Sequence, residues 1–260
     1  MHLSSRSTTI LILSYTVVGL VTLVMTDAIA QDPEYHAFAD QRIFISIPHA
    51  FDVLSNIPFL VVGLVGLSYA AKARQDPACF EQPWEWYGFT LLCAGIALVS
   101  LGSGYYHWDP NNSSLVWDRL PMTIGFTTLF ALQIGERLSM TAGKRLLPVL
   151  VILGLASVVY WDWTEQQGQG DLRFYAMVQF LPLVTILLLL WVRPPRYTHG
   201  SYLVIALGFY AGAKLLEVLD DTIFGVGHFI SGHTLKHLAA GLAVWFIINM
   251  FRKRKRIESA

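Results

Sequence analysis

The stretch GHTLKHLAAGLAVWFIINMF, residues 232–251, joins a long apolar run to two histidines near its start. Its 20 residues would form a helix long enough to cross the roughly 30 Å hydrocarbon core of a bilayer. His233 and His237 are four residues apart, so both imidazoles would lie on one face of that helix, one turn from each other. The stretch therefore predicts a membrane-spanning helix that carries a pair of candidate metal ligands at one end.

The composition of the whole chain agrees with a membrane protein. Of the 260 residues, 54% are hydrophobic and 14% are charged, and the mean hydropathy is +0.50. Soluble domains contain about a quarter charged residues. The formal net charge is zero, which gives no general case for binding nucleic acid. The two cysteines are too few for a metal site built from cysteines.

Eight apolar segments are long enough to cross a bilayer, and their connections are short. They cover approximately residues 8–25, 48–71, 86–106, 115–138, 146–160, 174–192, 201–219 and 229–251. The predicted fold is therefore an all-α polytopic membrane helix bundle, with a seven-helix core and one N-terminal hydrophobic segment. We divide the chain into residues 1–30, a core over 31–251 and a basic tail over 252–260.

The segment over residues 1–30 has two interpretations. Arg6, a long apolar run and the small residues Ala28 and Ala30 resemble a secretory signal with its cleavage site. The length of the apolar run is also typical of a retained membrane anchor. Either interpretation leaves the seven downstream helices with the same orientation.

Lysine and arginine positions predict that orientation. If the N-terminus is cytoplasmic, 13 of the 18 Lys and Arg residues fall on the cytoplasmic side, including the run over residues 252–256. The other five are Arg42, Arg119, Arg173, Lys214 and Lys236. The bias places the C-terminus in the cytoplasm, where the basic tail could also contact anionic lipid headgroups.

This topology brings candidate site residues to one membrane depth, on the non-cytoplasmic side. His107 ends the third segment, Asp118 begins the fourth, and His233 and His237 begin the eighth. Three neutral imidazoles with one open position are the composition of a catalytic zinc site. Ser103 lies four residues before His107, so the two can share a helical face. Polar residues within a membrane also indicate a function by default, because they are costly there.

Each of these residues has a structural alternative. The histidine pair could pack or form hydrogen bonds, His107 could be an interfacial residue, and Asp118 could pair with Arg119. Thr234 occupies the position that the glutamate has in the His-Glu-x-x-His metalloprotease motif, so a general base must come from elsewhere. Further polar residues near the same side have less specific expectations. His228 could be an extra metal ligand, and Asp220 or Asp221 could contact a ligand histidine. Lys214 and Glu217 are expected to pair with each other. Asp52 and Asn56 could line a cavity or bond between helices.

At these residues the sequence resembles the CREST superfamily of membrane hydrolases, and in particular its alkaline ceramidase branch. The superfamily also contains adiponectin-type receptors and Per1-like proteins. The shared pattern appears as Ser103-Gly-Tyr-Tyr-His107, Asp118 and His233-Thr-Leu-Lys-His237. The segment HAFDVLSNIPFLVVGL, residues 49–64, is also similar to the first core helix of alkaline ceramidases. The resemblance covers about residues 40–251.

The resemblance implies that zinc is bound by His107, His233 and His237, with Asp118 and Ser103 as the catalytic pair. It implies a lipid amide from the bilayer, such as ceramide, as the substrate class. One departure concerns calcium, which alkaline ceramidases bind through an acidic stretch before the first core helix. Here His49 occupies the position of an expected acidic residue, so the resemblance gives little support for calcium dependence.

These observations favour a zinc-dependent intramembrane amidase. A second hypothesis is a receptor or structural protein whose zinc only ties three helices together, which a closed four-coordinate site would indicate. A third is a transporter or proton relay, which would need a continuous polar path through the membrane. The sequence contains no signal for a particular oligomeric state.

Overall fold

The computed structural model describes residues 3–74 and 76–257, and this part of the chain is an all-α polytopic helix bundle without β-strands. A short 3₁₀ helix, Pro33–His36, precedes the core. The α-helices are α1 (Ser5–Met25), α2 (Ala50–Leu54), α3 (Ile57–Ala73), α4 (Pro83–Trp108), α5 (Asn112–Arg137), α6 (Met140–Gln166), α7 (Arg173–Val192), α8 (Ser201–Val218), α9 (Asp220–Gly227) and α10 (Gly232–Lys253).

Seven helical segments of the described residues are long and apolar enough to cross a membrane, and α2 and α3 together form one of them. The remaining predicted span is α5, which has 26 residues but is more polar. It packs against α4, α6 and α7, and most of its second half is buried. Neighbouring helices therefore cover the polar side chains of α5, which explains how a less apolar helix can lie inside the bundle.

The helices run in alternating directions, so α4 ends where α5 and α10 begin. We call this the histidine end of the bundle, and we call the opposite end, where α10 ends, the tail end. The largest group of buried apolar residues involves α3, α4, α5 and α10. A smaller group lies at the histidine end, around Tyr106, Leu115 and Trp161.

Helix α1 is an unbroken helix at the edge of the bundle. It packs mainly against α7, and the Tyr15 hydroxyl donates a hydrogen bond to Thr185 of that helix. At its two ends, Arg193 donates to the carbonyl of Leu3 and Arg173 donates to the carbonyl of Leu23.

The basic segment at the end of α10 lies against the bundle. Arg254 is 2% exposed, and its guanidinium nitrogens lie 3.5 Å from Glu85 and 4.0 Å from Glu136. The same guanidinium lies 4.0 Å from the ring centroid of Tyr197. The predicted tail over residues 252–260 therefore has a buried, paired arginine, and its residues 258–260 lie outside the described part of the chain.

Two elements differ from the expected boundaries. Helix α6 is longer than the predicted segment 146–160, because it continues through Lys144 and Arg145 at one end and Asp162 at the other. Helix α9 follows α8 directly and was not predicted, since its sequence DDTIFGVG contains two acids and two glycines. It keeps the chain at the histidine end, where α8 ends and α10 begins.

Candidate metal centre

Three buried histidines meet at the histidine end of the bundle. His107 comes from the last turn of α4, and His233 and His237 come from the first turns of α10. Their ring centroids are 4.8 to 4.9 Å apart, and one nitrogen from each ring lies within 4.8 Å of the others. The rings are therefore close enough for one ion to contact all three after small side-chain rotations. The sequence prediction that these residues come together is confirmed.

The surroundings of the rings suit a metal ion. His107 is 1% exposed, and its Nδ1 atom has no hydrogen-bond partner among the described residues. A buried polar nitrogen without a partner costs free energy unless something else satisfies it. Imidazole nitrogens are ordinary ligands of zinc and other transition ions. The donor set and the unpaired nitrogen both fit a bound metal.

A hydrogen-bonded chain sets the orientation of the His237 ring. Nδ1 of His237 lies 2.7 Å from the Ser55 hydroxyl, and that hydroxyl donates to the carbonyl of Asp52 at 3.0 Å. Because the Ser55 proton is used in this way, its oxygen accepts from Nδ1–H of His237. The tautomer then leaves Nε2 of His237 free to bind a metal, as is usual for zinc histidines.

Asp52 ties the first core helix to the start of α10. Its Oδ1 atom accepts hydrogen bonds from Thr234 at 2.6 Å and from Ser231 at 3.2 Å. The carboxylate is fully buried, and Oδ2 has no partner among the described residues. Asn56 donates to the Asp52 carbonyl at 2.8 Å. The sequence predicts that Asp52 and Asn56 line a cavity or bond between helices. Asp52 bonds between helices, and Asn56 lines a cavity.

The start of α10 is held from two further sides. The Ser231 hydroxyl accepts from the backbone N–H of Thr234, and Asp220 accepts from the backbone N–H of His233 at 2.7 Å. These groups satisfy the free N–H donors of the first turn. A Cβ atom on Gly232 would lie 2.3 Å from the carbonyl oxygen of Leu216, so glycine permits the close approach of α10 to α8. The Asp220 carboxylate thus contacts the backbone of His233, whereas the sequence predicted a contact with the imidazole of a ligand histidine.

Asp118 and Ser103 face each other across the contact between α4 and α5. The backbones of these helices are very close at Gly102, where a Cβ atom would lie 1.9 Å from the carbonyl oxygen of Trp117. Ser103 is 3% exposed and, with Asp118 and His237, lines one cavity. The serine, the aspartate and one histidine of the group, His237, therefore line the same cavity.

Lys236 lies between the two histidines of α10 in sequence and contacts one of them. Its Nζ atom is 2.8 Å from Nε2 of His233 and 3.0 Å from Glu217. Glu217 also pairs with Lys214, as the sequence predicts. Because Glu217 already holds the ammonium group, Lys236 keeps a partner when His233 binds an ion.

Phe38 covers the histidine group and was not anticipated from the sequence. Its ring centroid lies 4.6 Å from that of His107 and 4.5 Å from that of His233. It belongs to the segment between the 3₁₀ helix and α2, which has no helical periodicity to indicate which residues turn inward. His228, by contrast, lies outside the histidine group and caps the end of α9.

The cavity that contains the site has a volume of about 370 Å³. Its polar end includes Ser103, Asp118 and His237, and the rest is lined by apolar side chains such as Leu129, Leu203 and Ile247. This volume is within the usual range for small-molecule pockets. The lining comes from α3, α4, α5, α7, α8 and α10. The arrangement is that of a polar site at one end of an apolar space.

Helices α7 and α8 both line this cavity but make few contacts with each other. Along their described lengths, one hydrogen bond crosses between them, from the Gln179 amide to the Tyr210 hydroxyl at 2.8 Å. Tyr210 also lies edge to face with Phe126 of α5, at 6.0 Å between centroids. The two helices on this side of the cavity are therefore held together by few direct contacts.

Comparison with known proteins did not assign a family. A scan of the chain against protein-family models found no match, and a search of curated proteins also found none.

Proposed function

We propose that the protein is a zinc-dependent intramembrane hydrolase that cleaves the amide bond of a ceramide-like lipid to a fatty acid and a long-chain amine. The observation that carries the proposal is the group of three buried histidines in contact with a cavity that also contains Asp118 and Ser103. Three histidines without a fourth protein ligand are typical of catalytic zinc sites. The resemblance to alkaline ceramidases supports a lipid amide as the substrate class.

The side chains have complementary chemical roles in this proposal. Zinc held by the three histidines would supply a Lewis acid that activates water and polarises a carbonyl near neutral pH. Asp118 accepts a proton from the attacking water and returns it to the leaving amine. Ser103 donates a hydrogen bond to the oxyanion that develops at the carbonyl. Water is thereby added across the C–N bond, which yields a carboxylic acid and an amine.

The cavity suits a substrate that arrives from the bilayer. The apolar part can hold an acyl chain, with the amide at the polar end beside Asp118. The gap between α7 and α8, crossed by the Gln179–Tyr210 hydrogen bond, would admit the chain sideways. We also propose that the histidine end faces the non-cytoplasmic side, because most Lys and Arg residues lie towards the tail end.

Replacing Asp118 with Asn tests the proposal. The variant keeps the shape of the side chain but removes the proton acceptor, so ceramide hydrolysis should fall about 10²- to 10⁴-fold while zinc content is unchanged. Fatty-acid release and elemental mass spectrometry on detergent-purified protein measure both quantities. Asp162→Asn, the same change on the outer surface of α6, is the matched control and should behave as the wild type.

Two results would contradict the proposal. Full activity in the Asp118→Asn variant would exclude Asp118 as the proton acceptor. Zinc-loaded wild-type protein that releases fatty acid from no lipid amide would instead favour the second hypothesis, a receptor or structural protein in which zinc ties α4 to α10.

A further inference from the structure

Arg119 lies next to Asp118 in sequence but points into a different part of the cavity. Asp118 faces Ser103 on α4, whereas the Arg119 guanidinium lies between α5, α6 and α7. Arg119 is 5% exposed and lines the cavity. A cation buried to this extent ordinarily has a carboxylate partner, because its desolvation is costly.

The protein contacts of Arg119 are neutral. Nη2 donates to the side-chain oxygen of Gln31 at 2.6 Å, and the guanidinium carbon lies 4.1 Å from the ring centroid of Trp161 and 4.7 Å from that of Tyr175. Nη1 is buried and has no hydrogen-bond partner among the described residues. The aromatic faces and the amide orient the group, but they do not neutralise its charge.

The other charged residues of the cavity leave Arg119 as the unpaired cation. Lys214 and Lys236 both pair with Glu217, and Asp118 faces Ser103. The lining therefore carries three basic and two acidic side chains, before any metal ion is counted. Such a cavity favours a ligand that brings at least one negative charge.

We propose that Arg119 binds an anionic oxygen, of a carboxylate or a phosphate, on the amine portion of the lipid amide. The inference rests on the proposed function and narrows its substrate class from lipid amides in general to those whose amine portion is anionic. With the acyl chain against Leu129 and Ile247 and the amide beside Asp118, the amine portion extends towards Gln31 and Arg119. A guanidinium with a free N–H pair suits either oxyanion.

Three amides with the same acyl chain test this substrate class. N-oleoylglycine carries a carboxylate, N-oleoylphosphoethanolamine a phosphate and N-oleoylethanolamine a neutral hydroxyl. Wild-type kcat/KM should be about tenfold or more higher for at least one anionic amide than for the neutral one, as expected for a charge-assisted hydrogen bond. The anionic amide that is preferred identifies the oxyanion. A wild-type preference for the neutral amide would overturn the inference, and the proposed amidase would stand.

Variants test whether Arg119 causes the preference for anionic amides. Arg119→Gln should reduce the anionic preference to about equal rates, Arg119→Lys should keep part of it, and Arg145→Gln, which removes an exposed arginine from α6, should keep all of it. An unchanged preference in Arg119→Gln would overturn the assignment.

A binding measurement separates this inference from the proposed function. Thermal stabilisation of wild-type protein should be larger with N-oleoylglycine or N-oleoylphosphoethanolamine than with N-oleoylethanolamine, whether or not any amide is cleaved. Selective stabilisation by the anionic amides without cleavage would contradict the proposed amidase activity but support the anion site at Arg119. Equal stabilisation by the three amides would contradict the anion site.

Discussion

Asp52 is a buried residue that supports two of the three histidines indirectly. It holds Thr234 and Ser231 at the start of α10, and its own carbonyl accepts from Ser55, which in turn contacts His237. These contacts restrict where the two histidines of α10 can lie relative to α2. Groups behind metal ligands usually affect affinity by fixing the position and tautomer of the ligand.

Replacing Asp52 with Ala should therefore weaken zinc binding by about 10- to 100-fold. Competition with a chelator of known affinity measures the zinc Kd. Asp52→Asn keeps an oxygen acceptor for Thr234 and should retain more affinity than Asp52→Ala. A zinc Kd in Asp52→Ala equal to that of the wild type would show that these hydrogen bonds do not position the ligands.

The three histidines could be predicted from the sequence, but the contacts by which other residues hold them could not. His233 and His237 follow a simple helical spacing, and the topology independently placed His107 at the same end. Phe38 and Asp220 act through a loop and through a backbone N–H, neither of which leaves a periodic signal. Contacts of this kind depend on the three-dimensional path of the chain.

The crossing of α4 and α5 sets the distance between Ser103 and Asp118. Gly102 lies at the closest point of the crossing, where a Cβ atom would overlap the Trp117 carbonyl at 1.9 Å. The atom in the way belongs to the backbone of a helix, so relief requires one helix to move. Gly104, two residues later, faces open space, because no neighbouring atom lies within 4 Å of the position that a Cβ would occupy.

Gly102→Ala should lower both thermal stability and hydrolytic activity, because it separates Ser103 from Asp118. Overpacking of this kind typically costs about 1 to 3 kcal/mol. Gly104→Ala adds the same methyl group to open space, and should leave stability equal or slightly higher because alanine favours a helix. Melting temperature and amide hydrolysis of the two variants provide the comparison. Equal behaviour of the two variants would contradict the close crossing.

The segment before α2 is attached to the α9–α10 connection through Arg42. Its guanidinium makes two hydrogen bonds to the carboxylate of Asp40, including one of 2.6 Å, and donates to the backbone carbonyls of His228 and Phe229. Burial alone would raise the pKa of Asp40, but the hydrogen bonds and charge of Arg42 outweigh burial and lower that pKa below its usual value. The Asp40 carboxylate is thus held in its charged form by an arginine.

This attachment predicts a loss of stability in acid. Because the folded-state pKa of Asp40 lies below its unfolded value of about 4, the stabilisation is fully present above pH 4 and is lost as pH falls through the folded pKa. The melting temperature should therefore decrease below about pH 4, and should decrease less steeply in Asp40→Asn. If the melting temperature of Asp40→Asn decreased in acid as steeply as that of the wild type, Asp40 would not contribute to the loss of stability at low pH.

At the level of helices, the hydropathy of the chain was sufficient to predict the membrane spans. It did not predict which helices pack against one another. The predicted segment over residues 115–138 corresponds to α5, which the structure surrounds with α4, α6 and α7. The sequence did not predict that the segment ending at Arg254 would pack between Glu85 and Glu136. Burial of a charge depends on partners that are distant in sequence.

The whole bundle carries its charged side chains in two clusters, one towards each end. The histidine end holds the three histidines, Asp118 and Arg119, and the tail end holds the ion pairs of Arg254. Between the clusters, the buried polar side chains of α5 are Thr123, Thr127, Thr128 and Gln133, none of which is titratable. Thr123 and Thr127 donate to backbone carbonyls of their own helix. The third hypothesis, a transporter or proton relay, therefore has less support than a site that is open to lipid at one end.

The metal content of the purified protein is the most direct measurement of the proposed zinc centre. Elemental mass spectrometry should find about one zinc per chain in protein purified without chelator, and little in His237→Ala. Because His237 is one of the three proposed ligands, its loss should reduce occupancy more than the loss of any residue behind the ligands. Wild-type protein without zinc or another transition metal would contradict the metal centre, and the hydrolytic mechanism with it.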